Sequence, residues 1–199
     1  MPLANFHTHS SYCDGNAAPE EFVKAAIDMG FDSIGFSSHA PVPFENRWSI
    51  KPDRLSEYLE NIRTLKAKYK NRINVFLSLE IDYIPGLTSN MKELCNECKL
   101  DYTIGGVHLV KSENTDKLWF IDGSPDGYDN GLRDIFKMDI QKGVRCYFEQ
   151  LWEMILLQKP DVIAHTDKIK MNNRGLYFST DEKWYQDFIA KTIEIIAES

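Results

Sequence analysis

The chain has 199 residues, 43% of them hydrophobic and 27% charged, with a formal net charge of −7. That is enough chain for one folded domain with a full core. The acidic balance and the lack of a basic run exclude a phosphate-backbone binder as the first reading, and no segment reaches the ~18 consecutive apolar residues of a membrane span. The start, "MPLANFHTHS", has neither a charged leader nor an apolar h-region, so a cytoplasmic protein is expected. The four cysteines, Cys13, Cys95, Cys98 and Cys146, do not form a disulfide framework in a chain of this length. Cys95-x-x-Cys98 is a lone pair in a helix-like pattern. It reads as one half-buried and one exposed thiol.

In chain order, "PLANF" is a strand candidate. "PEEFVKAAIDMG" reads as a helix, with proline and acids in its first turn and Gly30 at its stop. "FDSIGFSS" is a second strand. "KPDRLSEYLENIRTLKAKYK" is an amphipathic helix with Leu55, Leu59, Ile62 and Leu65 on one stripe. "INVFLSL" is a third strand, "NMKELCNECK" a helix and "DYTIGGV" a fourth strand. Residues 111 to 134 are rich in Gly, Asp, Asn and Ser and read as an irregular loop insert, the kind of segment that serves as a lid or binding loop. Residues 133 to 158 read mostly as helix, "DVIAH" as a fifth strand and "TDEKWYQDFIAKTIEIIAES" as a final helix. Five alternations of strand and helix predict an α/β fold with a parallel sheet, either open or closed into a barrel. In both, sites gather at the C-terminal ends of the strands.

The chain has five histidines, and each sits at or just beyond the end of a strand candidate. His7 and His9 follow "LANF", His39 follows "SIGFSS", His108 follows "TIGGV" and His165 follows "VIA". Such positions make up roughly a tenth of the chain, so five of five is not a chance pattern. The third strand ends in Glu80 instead, a carboxylate that needs a cation at the end of so apolar a run. Imidazole and carboxylate donors without a thiolate cluster suit zinc, manganese or iron. His7, His9, Asp14, His39, Glu80, His108 and His165 are too many donors for one tetrahedral ion, so two or three ions are expected. The reaction class expected of such clustered ions is metal-assisted hydrolysis.

These segments resemble the motifs of the polymerase-and-histidinol-phosphatase (PHP) family. "HTHSSYCDG" is similar to its HxHxxxSDG motif, "SSHAP" to its second, "SLEIDY" to the glutamate-bearing third, "IGGVHLV" to the fourth and "VIAHTDKIK" to its GHxDxIK segment. "GGVH" and the following "WFID" resemble the histidinol-phosphatase branch. The resemblance implies a distorted seven-stranded (β/α) barrel with a trinuclear centre. In it His7 and His9 bind one ion, Glu80 bridges to a second completed by His108 and His165, and Asp14 and His39 bind a third. It implies attack of a metal-activated hydroxide on the phosphate ester of histidinol phosphate, a step of histidine synthesis. The runner-up readings are another phosphoesterase or nuclease of the family, a C–N hydrolase with a carboxylated lysine, and a metal-binding relative without catalysis.

Three departures stand out. Cys13 and Ser38 replace the family's usual serine and aspartate. The family's late Asp-x-His is absent, since no histidine follows His165, and the count of strands ends about two short of the barrel. An incomplete barrel, with open strand edges that favour a homo-oligomer, is the expectation. For a small phosphorylated substrate the candidate contacts are Lys111, Trp119, Lys168 and Arg174, with Lys170 and Tyr128 as further candidates.

Overall fold

The computed structural model describes residues 2–113 and 115–199. The chain divides into two compact units, Met1–Ile81 with Ser89–Ile104, and Asp82–Thr88 with Gly105–Ser199.

The first unit begins with β1 (Ala4–Thr8), α1 (Pro19–Asp28), β2 (Ser33–Phe36), α2 (Leu55–Tyr69) and β3 (Asn74–Leu77), and also holds α3 (Met91–Cys98). Its sheet has the order β1-β2-β3, all parallel, with Ser33 opposite Asn74 and Phe36 opposite Leu77. Helical crossovers between parallel strands are what the strand–helix alternation predicts. Ile34, Phe36, Val75 and Leu77 are buried beneath α1, which buries Val23 and Ala26, and α2, which buries Tyr58, Leu59, Ile62, Leu65 and Tyr69. The α2 stripe keeps Leu59, Ile62 and Leu65 of the predicted four, leaves Leu55 half-buried and adds two tyrosines. Gly35 has a steric reason. A Cβ there would lie 2.1 Å from the Tyr102 hydroxyl, which donates to the Phe6 carbonyl across the sheet. Cys95 is half-buried and Cys98 buried, both as free thiols. The expected exposed partner is therefore covered.

The predicted third strand is shortened to β3, and a strand the sequence did not suggest follows it. After β3 the backbone resumes as β4 (Glu80–Asp82), and β5 (Ile104–Gly106) follows. The chain passes between units within both. β4, β5 and β8 (Val162–Ile163) form a second sheet in the order β4-β5-β8.

In the second unit, β6 (Leu109–Ser112) pairs antiparallel with β7 (Thr115–Phe120), followed by α4 (Pro125–Phe136), α5 (Ile140–Glu153), a π-helical turn over Met154–Gln158 and α6 (Lys183–Glu198). Two readings are corrected here. The stretch 111–134 is not an irregular loop, because its described residues form β7 and most of α4. Ser124 accepts from Gly127 N–H (3.0 Å) ahead of Pro125, a proline-led N-terminus that the glycines of the helix obscured. The helix read over 133–158 is two helices. Lys137 and Met138 take left-handed φ values of 54° and 67°, and Asp139 caps α5 through Lys142 N–H (3.0 Å). Among the described residues no helix is long and apolar enough to cross a membrane.

Candidate metal centre

The donors of the first unit collect at the C-terminal ends of its strands. His7 lies in β1 and His9 just beyond it, with ring centroids 5.1 Å apart. His39 follows β2 and forms a parallel bridge with Glu80. Ala40 N–H donates to the Glu80 carbonyl (2.8 Å) and Glu80 N–H to the Ser38 carbonyl (3.2 Å). This short backbone ladder continues the sheet past its last regular residue and points the Glu80 carboxylate at the imidazoles. Glu80 Oε2 lies 2.9 Å from His9 Nε2, 3.6 Å from His39 Nδ1 and 3.7 Å from His7 Nε2. The Glu80 side chain is 1% exposed. Donor atoms of His9, His39 and Glu80 all fall within 4.8 Å of one another, as do those of His9, Cys13 and Asp14. Ser37 bonds His7 Nδ1 at 3.1 Å, and Ser38 meets the Ser10 hydroxyl at 3.0 Å.

The Asp14-Gly15 pair closes a tight loop. Cys13 N–H (2.9 Å) and Gly15 N–H (3.1 Å) both donate to the Ser10 carbonyl. This turns the Asp14 carboxylate back onto His9 Nδ1, 2.7 Å away. A Cβ on Gly15 would sit 2.5 Å from the His9 carbonyl carbon and the Ser10 nitrogen. Those are backbone atoms that cannot step aside. Gly15→Ala is therefore expected to push Asp14 off His9 and weaken metal uptake at least about tenfold, the scale seen when a ligand's supporting contact is lost. Chelator competition on the folded variant is the measurement, and unchanged affinity would refute the role of the loop.

Electrostatics follow from this packing. Burial by itself would lower the His9 pKa, but hydrogen bonds to Asp14, Cys13 and Glu80 outweigh it and push it up to about 12. The His9 hydrogen bond, with the His39 charge adding to it, holds Asp14 down at about 2. In the metal-free protein the His9 proton thus contributes stability that is complete below its ordinary value of 6.5 and fades as pH rises towards 12. A cation must displace that proton. Zinc affinity is expected to rise about tenfold per pH unit above neutrality for the one proton released. Titration in two buffers of different ionisation enthalpy would count the protons, and none released would contradict the assignment.

The second unit holds its own group. His108 is 2% exposed, and its Nδ1–H donates to Asp82. Its Nε2 faces His165 Nε2 at 3.1 Å and Asp122 Oδ2 at 3.8 Å. Lys168 Nζ reaches Asp122 Oδ2 at 3.2 Å. Tyr147 holds the His165 loop, donating to the His165 carbonyl (3.3 Å) and accepting from Lys168 N–H (3.2 Å). Sequence reasoning missed Asp82 and Asp122. Asp82 had a signal, because residues two apart on a strand share a face and Glu80 was already singled out. Asp122 had only its place in the "WFID" segment.

The proposed substrate contacts separate. Lys168 lies beside His108. Trp119 is fully buried, its indole N–H donating to the Tyr128 carbonyl (2.9 Å), so it has no face to offer a ligand. Tyr128 is buried too, bonded to the Ile169 carbonyl. Lys111 Nζ donates to the Pro85 carbonyl (2.8 Å) and lines an open cleft with Glu113, Lys142, Arg145 and Glu149. Arg174 pairs with Asp129 (2.7 Å), and Lys170 with Asp167. The direction of each of these side chains is set by packing that spacing does not encode.

The PHP domain family matches residues 5–199. A Schizosaccharomyces pombe protein named probable histidinol-phosphatase is 30% identical over 181 residues, covering 85% of this chain and 56% of its own length. A Deinococcus radiodurans protein of the same name is 30% identical over 122 residues, 60% of this chain and 47% of its own. The chain spans about half the length of the curated relatives it matches. Among solved structures, a Listeria monocytogenes protein assigned to the histidinol phosphatases superposes with a TM-score of 0.81 at 19% identity, covering 98% of this chain and 79% of that one. The histidinol phosphate phosphatase of Lactococcus lactis, solved with zinc, L-histidinol and phosphate, gives 0.56 at 17% identity, with coverage of 98% and 80%. At these identities the structures speak to the α/β fold. The ordered motifs of the sequence, the strand-end donors and the match across residues 5–199 together establish that this chain belongs to the PHP domain family.

Proposed function

We propose that the chain carries a metal-dependent phosphomonoesterase of the histidinol-phosphatase branch, converting L-histidinol phosphate and water to L-histidinol and phosphate. The observation that carries this reading is Glu80, a fully buried carboxylate with the nitrogens of His7, His9 and His39 between 2.9 and 3.7 Å from one oxygen. Buried carboxylates need compensating positive charge. In the metal-free protein the extra proton on His9 provides it. A divalent cation fits the same place and the same nitrogen and oxygen donors.

In this reading His7, His9, Asp14, His39 and Glu80 hold cations in the first unit, and His108 and His165 hold one in the second. Zinc is the first choice, with manganese or iron as alternatives, and the total is two or three. Bound cations supply Lewis-acid stabilisation of charge on phosphoryl oxygens and lower the pKa of water. The chain's own side chains do the rest. Ser37 and Asp82 fix the ring orientations of His7 and His108. Lys168 brings an ammonium group to the His108 side for an anionic substrate. The strands are segments of the distorted seven-stranded (β/α) barrel of the family, with residues 1–199 as one PHP metallohydrolase domain acting in the cytoplasm on a small phosphorylated metabolite. The names of the curated relatives and the zinc, histidinol and phosphate of the Lactococcus lactis structure support the substrate.

The test is phosphate release from L-histidinol phosphate by zinc- or manganese-loaded protein. Turnover that chelator abolishes and metal restores, with unrelated phosphate esters cleaved far more slowly, is the expected result. A metal-loaded protein that releases no phosphate would leave the metal-binding relative without catalysis as the correct reading.

A further inference from the structure

The loop between β1 and α1 brings a third kind of donor to His9. Cys13 is a half-buried free thiol, and it stands where the family's motif has serine. The loop that carries it is fixed by its own backbone. Cys13 N–H and Gly15 N–H both donate to the Ser10 carbonyl (2.9 and 3.1 Å), and Ser11 N–H donates to the Ala17 carbonyl (2.9 Å). Two consecutive side chains, Cys13 and Asp14, are thereby held against one imidazole. Donor atoms of His9, Cys13 and Asp14 all lie within 4.8 Å of one another, and all three residues belong to the first unit.

The spacing suits one cation. Nitrogen and oxygen donors bound at about 2.0–2.2 Å and sulfur at about 2.3 Å lie roughly 3.3–3.7 Å apart around a tetrahedral ion. A set already within 4.8 Å reaches that range by side-chain movements of about 1 Å. Asp14 Oδ1 is the atom that must retreat, being 2.7 Å from His9 Nδ1. Its side chain is 46% exposed, so nothing packed around it resists the opening. The two nitrogens of His9 also differ in their neighbours. Nε2 faces the buried Glu80 carboxylate at 2.9 Å. A carboxylate beside one ring nitrogen favours the proton there and the lone pair on the other, the arrangement that orients many metal-bound histidines. In His9 that other nitrogen is Nδ1, on the side of Asp14.

We propose that Cys13 is a metal ligand, which with His9 and Asp14 forms a mixed sulfur, nitrogen and oxygen position for one cation of the first unit. The thiolate is the ligating form of cysteine. Soft thiolate donors favour zinc, whereas manganese suits carboxylate and water, so Cys13 tilts this position towards zinc. The proposal rests on the metal-dependent reading above, and it adds a ligand and a metal preference that reading does not include.

The test compares full-length wild type, Cys13→Ser and, as a reference, Cys146→Ser, which removes a half-buried free thiol of α5. Metal content is counted by mass spectrometry, affinity by chelator competition and coordination by the spectrum of cobalt-loaded protein. Circular dichroism of the metal-free forms reports folding. Wild type and Cys146→Ser are expected to show the near-ultraviolet charge-transfer band of a sulfur–cobalt bond. Cys13→Ser is expected to lose that band and to bind zinc at least about tenfold more weakly, with manganese affinity close to wild type. Iodoacetamide labelling of wild type gives a readout that needs no variant: zinc slows alkylation of Cys13 and leaves that of Cys146 unchanged. A wild type that takes up cobalt without the band, or a band that persists in Cys13→Ser, would overturn the proposal. A wild type that takes up no ion would overturn the metal-dependent reading itself, and this inference with it.

Discussion

Glu80→Gln is expected to lower phosphate release from L-histidinol phosphate by about 10³-fold or more, because several kcal/mol of charge stabilisation depend on the cation that this carboxylate helps to hold. Glutamine is nearly the same size. The backbone bonds at this position, Ala40 N–H to the Glu80 carbonyl and Glu80 N–H to the Ser38 carbonyl, do not involve the side chain, so the ladder that places it survives. The negative charge facing His7, His9 and His39 does not. At least one ion per chain should be missing by mass spectrometry, while the far-ultraviolet circular dichroism stays that of wild type. A variant that retains every ion and the wild-type rate would show that Glu80 is a buried structural acid, and the functional reading would lose its main support.

Trp119→Ala is expected to cost about 3–5 kcal/mol of stability, as large-to-small changes at fully buried aromatic positions do. At 2–4 °C per kcal/mol for a chain of this size, the melting temperature should fall by roughly 6–20 °C. The indole lies against α4 and α5, where a Cβ on Gly131 would approach its Cδ1 to 2.1 Å and a Cβ on Gly143 its Cζ3 to 2.8 Å. Both helices therefore carry glycine where the ring presses on them. Tyr128 and Phe136 pack on the ring, with centroids 4.7 and 5.2 Å away. Removal leaves a cavity bounded by two helices and takes the indole N–H away from the Tyr128 carbonyl. Differential scanning calorimetry gives the shift. A variant that melts with wild type but shows a raised KM would instead make Trp119 a substrate platform.

The grouping of donors at the strand ends was legible in the sequence because residue type and spacing carry it directly. A two-residue period puts His7 and His9 on one face. Parallel strands joined by helices bring their C-terminal ends together, so histidines at those ends had to be neighbours within the sheet they share. Helix α1 was readable from its proline, acids and stop glycine, and α2 from its apolar stripe. Glycine roles were not readable. The residue letters alone do not distinguish Gly15, which lets a tight loop return onto the His9 backbone, from Gly131, which admits the indole of Trp119, because each depends on which atoms the fold presses against it. The same holds for the charges. Lys111 and Lys168 look alike in sequence, yet one ends on a carbonyl at Pro85 and the other on Asp122 beside His108. Trp119 looked like a ligand platform because polar residues surround it in sequence, whereas in space it lies in the core. Donor identity and strand periodicity are local properties of the chain. Which donor faces which cation, which lysine is committed and which aromatic is covered are set by long-range packing, and that is where tertiary structure overruled the sequence.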